Sequence, residues 1–313
     1  MNKAAKIYVA GHIGLVGSAM KRRLEAGGYS NIVTRSLEDL DLMRQDRVED
    51  FFETQMPEYV FLCAAKVGGI VANSTYPASF IYENIMIATN VIHASMKTGV
   101  KKLLNLGSSC IYPREAPQPL IEKYLLAGPL EPTNEAYAIA KIAAIKMCRY
   151  YNEQYGTDFM SVMPTNLFGP NDNFNLETSH VLPALIRRFH EAKEAGAPEV
   201  TLWGTGTPLR EFLYVDDLAD ACVFLMENYH ARDLGEFVNI GSGMDITIHD
   251  LAELIVGIVG YTGQIRWDAS RPDGMQRKLL DVSKITDLGW KAKTSLKDGI
   301  RKTYDWYRDR IEQ

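Results

Sequence analysis

The sequence predicts a doubly wound α/β protein, a parallel sheet covered by helices on both faces, with a smaller α/β substrate-binding domain attached. Three observations carry this prediction. Short apolar runs alternate with helix-length amphipathic stretches through the first half of the chain, the order in which parallel strands and their crossover helices are laid down. A glycine-rich turn, Gly11-His12-Ile13-Gly14-Leu15-Val16-Gly17, follows the first apolar run. After Pro164 the alternation gives way to a loop-rich texture.

Taken in order, Ile7-Tyr8-Val9-Ala10 reads as the first strand and 18–27 as the first helix. Strands follow at 32–34, 59–65, 102–106 and 159–163, separated by helical patterns at 48–55, 81–98 and 137–155. Residues 169–175 form a loop, 182–195 and 215–228 are helices, and 237–240 is a further sheet strand. Residues 1–166 with about 213–241 are expected to form the dinucleotide-binding domain. About 167–212 with 242–313 are expected to form the smaller domain that closes over it.

The bulk numbers narrow the function classes. The 313 residues are 46% hydrophobic and 23% charged, ordinary for a globular enzyme. A net charge of -5 provides no basic stripe to displace phosphate counterions, which excludes a nucleic-acid partner. No run approaches the ~20 apolar residues of a membrane span. The first six residues run straight into the first strand and leave no room for a signal peptide, so a cytoplasmic protein is expected. Cys63, Cys110, Cys148 and Cys222 show no CxxC pairing, so neither a disulfide framework nor a metal site is expected.

The glycine turn sits between the first strand and the first helix. There the chain must turn tightly, let its backbone approach a pyrophosphate, and aim helix N–H groups at it. Gly11, Gly14 and Gly17, with Leu15 and Val16, are therefore the cofactor contacts of a Rossmann-type domain; the bland alternative is a helix start packed tightly on a strand. The second strand ends Thr34-Arg35-Ser36, a cation and a hydroxyl where a carboxylate would repel a 2′-phosphate. Arg35 thus favours NADP(H), and Asp41 lies in reach of the adenine side.

Gly107-Ser108-Ser109-Cys110 follows the fourth strand at its carboxyl end, where open α/β sheets bind ligands. Tyr137 and Lys141 stand i, i+4 on one helical face. A phenol of pKa near ~10 exchanges protons poorly at neutral pH, and a nearby ammonium is expected to lower that value. Lys141 can also reach the nicotinamide ribose, and Ser108 the substrate oxygen. The pair alone is common by chance; its order after the glycine turn and the serine gives it weight. Cys110 and His180 carry no spacing signal of their own, although thiolate and imidazole suit a base and an acid.

On these residues the chain resembles the extended short-chain dehydrogenase/reductases, and among them the branch that epimerises and reduces GDP-4-keto-6-deoxy sugars. The resemblance runs end to end. It is carried by Ala64-Ala65-Lys66-Val67-Gly68-Gly69-Ile70, by Gly107 to Pro113, and by Met163-Pro164-Thr165-Asn166-Leu167-Phe168-Gly169-Pro170. Trp203-Gly204, Arg210-Glu211-Phe212 and Pro272-Asp273-Gly274 extend it.

The resemblance implies epimerisation at C3 and C5 of GDP-4-keto-6-deoxy-D-mannose, then NADPH reduction at C4 to GDP-L-fucose. Cys110 would be the epimerisation base and His180 its acid. Tyr137 would donate the proton in reduction, Ser108 would orient the keto oxygen, and Lys141 would hold cofactor. Further cofactor contacts would be Ala64, Lys66, Leu106 and Gly107, then Pro164, Asn166, Leu167 and His180. Asn166, Arg188, Trp203, Arg210, Asp273 and Lys278 would meet the GDP-sugar. Ile13 and Leu37 stand where the family carries basic residues, which leaves Arg35 as the main 2′-phosphate ligand. A homodimer through 81–98 and 135–155 is expected. A single-function reductase or epimerase, and a non-catalytic dinucleotide sensor, are the alternatives.

Overall fold

The structure, a computed structural model, describes residues 1–271 and 273–311, so Pro272 of the last motif lies outside the described residues. The first half runs β1 (Ile7–Ala10), α1 (Leu15–Ala26), β2 (Ile32–Val33), α2 (Gln45–Gln55), β3 (Tyr59–Leu62), α3 (Ile70–Thr75), α4 (Pro77–Lys97), β4 (Lys102–Leu106), α5 (Glu135–Tyr155) and β5 (Phe159–Pro164). The second half continues β6 (Asn166–Phe168), α6 (Val181–Glu194), β7 (Glu199–Trp203), β8 (Leu209–Tyr214), α7 (Val215–Asn228), α8 (Ala231–Leu234), β9 (Val238–Ile240) and β10 (Asp245–Thr247). It ends with α9 (Ile248–Val259), β11 (Gln264–Asp268), β12 (Arg277–Lys278), α10 (Ser283–Asp287) and α11 (Leu296–Ile311).

Six strands form one parallel sheet in the spatial order β2-β1-β3-β4-β5-β9. The strands β1, β3, β4 and β5 are almost wholly buried, as a sheet covered on both faces requires. On one face α1 and α7 pack Met20, Leu24, Leu218 and Leu225 against Ile7, Val9 and Leu104. The chain returns to this core near its end, through Ile285 and Trp290. On the other face α2, α4 and α5 bring Phe52, Val91, Ile92 and Ala144 onto Tyr8, Val60 and Leu103.

A second group of strands lies beyond the carboxyl end of β5. The strand β8 pairs with β10, β12 and β6, and α6, α9 and α11 cover it with Leu182, Phe189, Ile255 and Tyr304. A small cluster of Ile111, Tyr112, Leu120, Met163 and Leu280 joins the segment after β4 to β12. Among the described residues no helix is long and apolar enough to cross a membrane.

Several expected boundaries move, the helices expected from 48 and 81 starting instead at Gln45 and Pro77. The first helix starts at Leu15 rather than residue 18, so the glycine turn itself supplies the first helical N–H groups. The strand expected over 59–65 ends at Leu62. In the order β2-β1-β3-β4 the crossovers change direction between β1 and β3, the point at which an open α/β sheet forms a ligand crevice.

Glycine is required at this crevice for want of room. A Cβ on Gly17 would lie 2.1 Å from the Gly11 carbonyl oxygen, and one on Gly11, at φ +82°, would lie 2.7 Å from Ala64 backbone. Gly17→Ala is therefore expected to destabilise the protein by about 1–3 kcal/mol through overpacking. It should also weaken dinucleotide binding by about tenfold or more, because the N–H groups facing the pyrophosphate must shift. Thermal melts and fluorescence titration with NADPH check both; an unchanged Tm would show that the loop has slack.

Candidate active site

The crevice at the ends of β1 and β3 has the shape of a dinucleotide cradle. Gly14 caps α1 with no side-chain hydrogen bond, so the first-turn N–H groups stay open to an anion. Ala64 walls this turn against Gly11. Lys66 is pinned to α4: its ammonium pairs with Glu83, and its N–H and carbonyl bond the Asn84 amide at 3.0 Å each. Side chain and main chain of Lys66 are thus both engaged within the protein.

At the ribose end Arg35 lies 5.5 Å from the Phe51 ring centroid and donates to the Thr34 carbonyl at 2.7 Å. The expectation that no carboxylate stands here needs correction. Asp39 folds back to accept from the Ser36 hydroxyl at 2.8 Å. Hydrogen bonds from Ser36, with the Arg35 and His12 charges nearby, hold the Asp39 carboxyl below its usual range. Asp41 accepts the Met43 N–H at 2.9 Å, which turns one of its oxygens toward its own turn. Ile13 and Leu37 are 64% and 72% exposed, and neither offers a charge to a 2′-phosphate.

The carboxyl end of β4 gathers the second group. Leu106 and Gly107 end the strand, and a Cβ on Gly107 would meet the Met163 side chain at 2.3 Å. Ser108 caps the short helical turn Ser109–Ile111, its hydroxyl accepting the Cys110 N–H at 3.5 Å. That hydroxyl lies close enough to the Tyr137 phenol and the Cys110 thiol to act on the pKa of both. Lys141, one turn along α5, donates to the Leu106 carbonyl at 2.8 Å and lies 5.7 Å from the Tyr137 ring centroid.

The electrostatics correct one expectation. Burial, with the Cys110 charge beside it, pushes the Tyr137 phenol up, and the hydrogen bond with Ser108 only partly opposes this. The Lys141 ammonium does not lower it, being turned to Leu106 and itself pushed by burial down to about 8. A phenol that keeps its proton suits the donor role and not the base role. Burial also raises the Cys110 thiol, against which Lys278, the Ser108 hydrogen bond and Lys141 act to lower it.

The facing wall comes from the second half of the chain. His180 is the N-cap residue of α6; its edge is open to solvent while protein crowds the ring, and burial and then the Lys278 charge hold its pKa below 6.5. Arg188 lies along the same helix. Arg210 and Lys278 are register partners on β8 and β12. Among the described residues none of these three half-buried cations has a carboxylate within ion-pair distance. Pro164 ends β5, Leu167 lies in β6, and the Asn166 amide donates to the Glu211 carbonyl at 2.8 Å.

Two expected sugar-nucleotide contacts look different in place. Trp203 is 60% exposed, with Arg271 5.0 Å above its ring. Asp273 spends its carboxylate on Thr205, accepting from the N–H at 2.7 Å and the hydroxyl at 2.8 Å. It therefore shapes the turn at Gly204 rather than standing free for a ligand. The residue that sequence reasoning passed over is Glu211, fully buried in β8. Its signal was there, a carboxylate inside the apolar run Phe212-Leu213-Tyr214-Val215 and its lead-in.

Lys278→Met removes a charge and keeps the apolar stem. The Cys110 thiol should then rise further, so its alkylation by iodoacetamide should slow several-fold at fixed pH and shift its profile to higher pH. Peptide mass spectrometry resolves Cys110 from the other thiols. An unaltered profile would show that Lys278 does not act on the thiol.

The comparisons with known proteins agree with this geometry. The model of the NAD dependent epimerase/dehydratase family matches residues 7–241. The chain is 61% identical over 306 residues to GDP-L-fucose synthase 1 of Arabidopsis thaliana, covering 98% of this chain and 94% of that protein. Among solved structures it superposes on a GDP-6-OMe-4-keto-L-xylo-heptose reductase from C. jejuni with TM-score 0.95 at 40% identity, covering 99% of each chain. It also superposes on a GDP-L-fucose synthetase from Naegleria fowleri bound to NADP, with TM-score 0.92 at 31% identity, covering 100% of this chain and 95% of that one. A glycine-lined crevice, a serine–tyrosine–lysine cluster and relatives this similar along their whole length place the chain in the NAD dependent epimerase/dehydratase family, to which it belongs.

Proposed function

We propose that the chain converts GDP-4-keto-6-deoxy-D-mannose to GDP-L-fucose, epimerising C3 and C5 and then reducing C4 with NADPH. The observation that carries this is the convergence at Ser108, whose hydroxyl lies beside both the Tyr137 phenol and the Cys110 thiol and acts to lower the pKa of each. A proton donor for the C4 oxygen and a base for the neighbouring carbons thus address one sugar. The glycine cradle, which a Cβ at Gly11 or Gly17 would fill, fits a dinucleotide, with Arg35 toward the 2′-phosphate. Bound NADPH supplies the hydride to C4.

The protein's own residues do the rest. Arg188, Arg210 and Lys278, lacking carboxylate partners, hold the diphosphate of the GDP-sugar. Ser108 and Tyr137 donate to the 4-keto oxygen and so acidify the protons at C3 and C5. Cys110 as thiolate removes such a proton, and His180 returns one to the opposite face. In the reductive step Tyr137 passes its proton to the C4 oxygen, while Lys141, fixed on Leu106, reaches the nicotinamide ribose. Residues 1–166 with about 213–241 bind the dinucleotide in this reading, and the remainder binds the sugar nucleotide. Exposed Tyr82, Ile139, Tyr150 and Tyr155 on α4 and α5 support a homodimer through those helices. Four free thiols suit a cytoplasmic enzyme.

Incubation with GDP-4-keto-6-deoxy-D-mannose and NADPH in D2O should give GDP-L-fucose with deuterium at C3 and C5. Unlabelled carbons would leave a plain reductase. Cys110→Ser should abolish labelling, because a hydroxyl is far less acidic than a thiol. His180→Gln should block proton delivery to the other face. Both variants should slowly reduce the unepimerised ketone, and NMR of the product distinguishes the outcomes. Full labelling in Cys110→Ser would assign the base elsewhere.

Tyr137→Phe should cost about 10²–10⁴ in the rate of NADPH oxidation, since the ring still packs but cannot give a proton. NADPH binding should be nearly unchanged. Stopped-flow absorbance and fluorescence titration separate the two, and near-normal turnover would remove the tyrosine from the reaction.

A further inference from the structure

Glu211 is a buried carboxylate that the reaction does not use. It has no exposed surface, and among the described residues no cation pairs with it. Instead its oxygens are taken by main-chain donors from two different segments. One accepts the Gly243 N–H at 2.7 Å, just before β10, and the other accepts the Leu280 N–H at 2.9 Å, just after β12. The Ser242 hydroxyl adds a longer bond of 3.5 Å.

These two segments flank β8 on either side. The strand β10 pairs with β8 through Asp245↔Glu211, and β12 through Lys278↔Arg210. One carboxylate therefore ties both neighbours of the strand that carries Arg210. The backbone of the same residue joins them to the dinucleotide sheet, because the Glu211 carbonyl accepts from the Asn166 amide at 2.8 Å and the Thr165 hydroxyl at 3.3 Å. Those residues directly follow β5. The fit is close on a further side, where a Cβ on Gly241 would fall 2.2 Å from a Glu211 oxygen. Burial raises the Glu211 pKa, and the N–H donors oppose that rise.

We infer that Glu211 is a positioning residue which, through Gly243 and Leu280, holds Arg210 and Lys278 in register as a clamp for the substrate diphosphate. This rests on the assignment of those cations to the GDP-sugar made above. The strand β12 is only two residues long and keeps few ladder hydrogen bonds to β8, so a pair of adjacent, mutually repelling cations on these two strands needs an outside tie. A carboxylate accepting only N–H and O–H groups supplies it, and it keeps both acceptors only while ionised.

Glu211→Gln turns one acceptor into an amide donor facing an N–H, and Gly241→Ala crowds the carboxylate without deleting it. Each should raise the inhibition constant of GDP, and the KM for the GDP-sugar, by about tenfold, the loss of one charge-assisted hydrogen bond. The NADPH Kd should stay within about twofold and kcat should change far less than KM. Arg210→Ala is the control for the clamp itself. If it leaves GDP inhibition unchanged, the assignment of the cations is wrong. If it weakens GDP while Glu211→Gln and Gly241→Ala do not, the positioning role alone is overturned. Parallel loss of NADPH binding, or failure of both variants to fold, would assign Glu211 to the fold and also overturn it.

Discussion

The carbonyl of Gly11 and the α-carbon of Gly17 approach so closely that no side chain fits between them, and the geometry of the whole site follows from that contact. It sets the angle at which α1 leaves β1, and so where the open N–H groups of the first turn aim. A dinucleotide anchored there and laid across the carboxyl ends of the strands would bring its nicotinamide end toward β4 and β5. That edge is where Ser108, Cys110, Tyr137 and Lys141 meet. The long helices α4 and α5 keep it rigid by packing on one face of the sheet, while α1 and α7 close the other.

Low polarity is the second constraint. Burial pushes the Tyr137 phenol and the Cys110 thiol up and the Lys141, Lys278 and Arg210 cations down, so each group is biased toward its neutral form. Among the described residues the site carries cations with no carboxylate at ion-pair distance, together with acids that hold their protons. A diphosphate offsets the first imbalance. The thiol is then the group most sensitive to its neighbours, since Lys278, Ser108 and Lys141 act on it together.

Legibility in the sequence differed by residue for physical reasons. The glycine turn, the serine strand end and the Tyr137–Lys141 pair are local patterns, and local patterns survive folding unchanged. Asp39, Lys66 and Asp273 were not legible in the same way, because each has its side chain claimed by a partner, within a local turn for Asp39 and across the fold for Lys66 and Asp273. Ser36 takes Asp39, Glu83 takes Lys66, and Thr205, 68 positions away, takes Asp273. The phenol was misjudged for a similar reason. An i, i+4 pairing places Lys141 on the right face, but burial and the Leu106 carbonyl decide its charge and its aim.

The sequence by itself determined the order of strands and helices in the first half, the position of the glycine-lined crevice and the placing of Tyr137 and Lys141 on one face of a helix. Each of these depends on periodicity, or on residue types at short and rigid spacings. Tertiary structure alone decided that β6, β8, β10 and β12 form a second group of strands at the mouth of the crevice. These strands are two to six residues long, too short for a pattern to rise above chance. It also decided that Lys278 lies beside both Arg210 and His180, and that Glu211 ties together the strands on either side of Arg210. Nothing in the spacing of residues 180, 210 and 278 announces that convergence, because long-range pairing is set by which surfaces bury one another and not by distance along the chain.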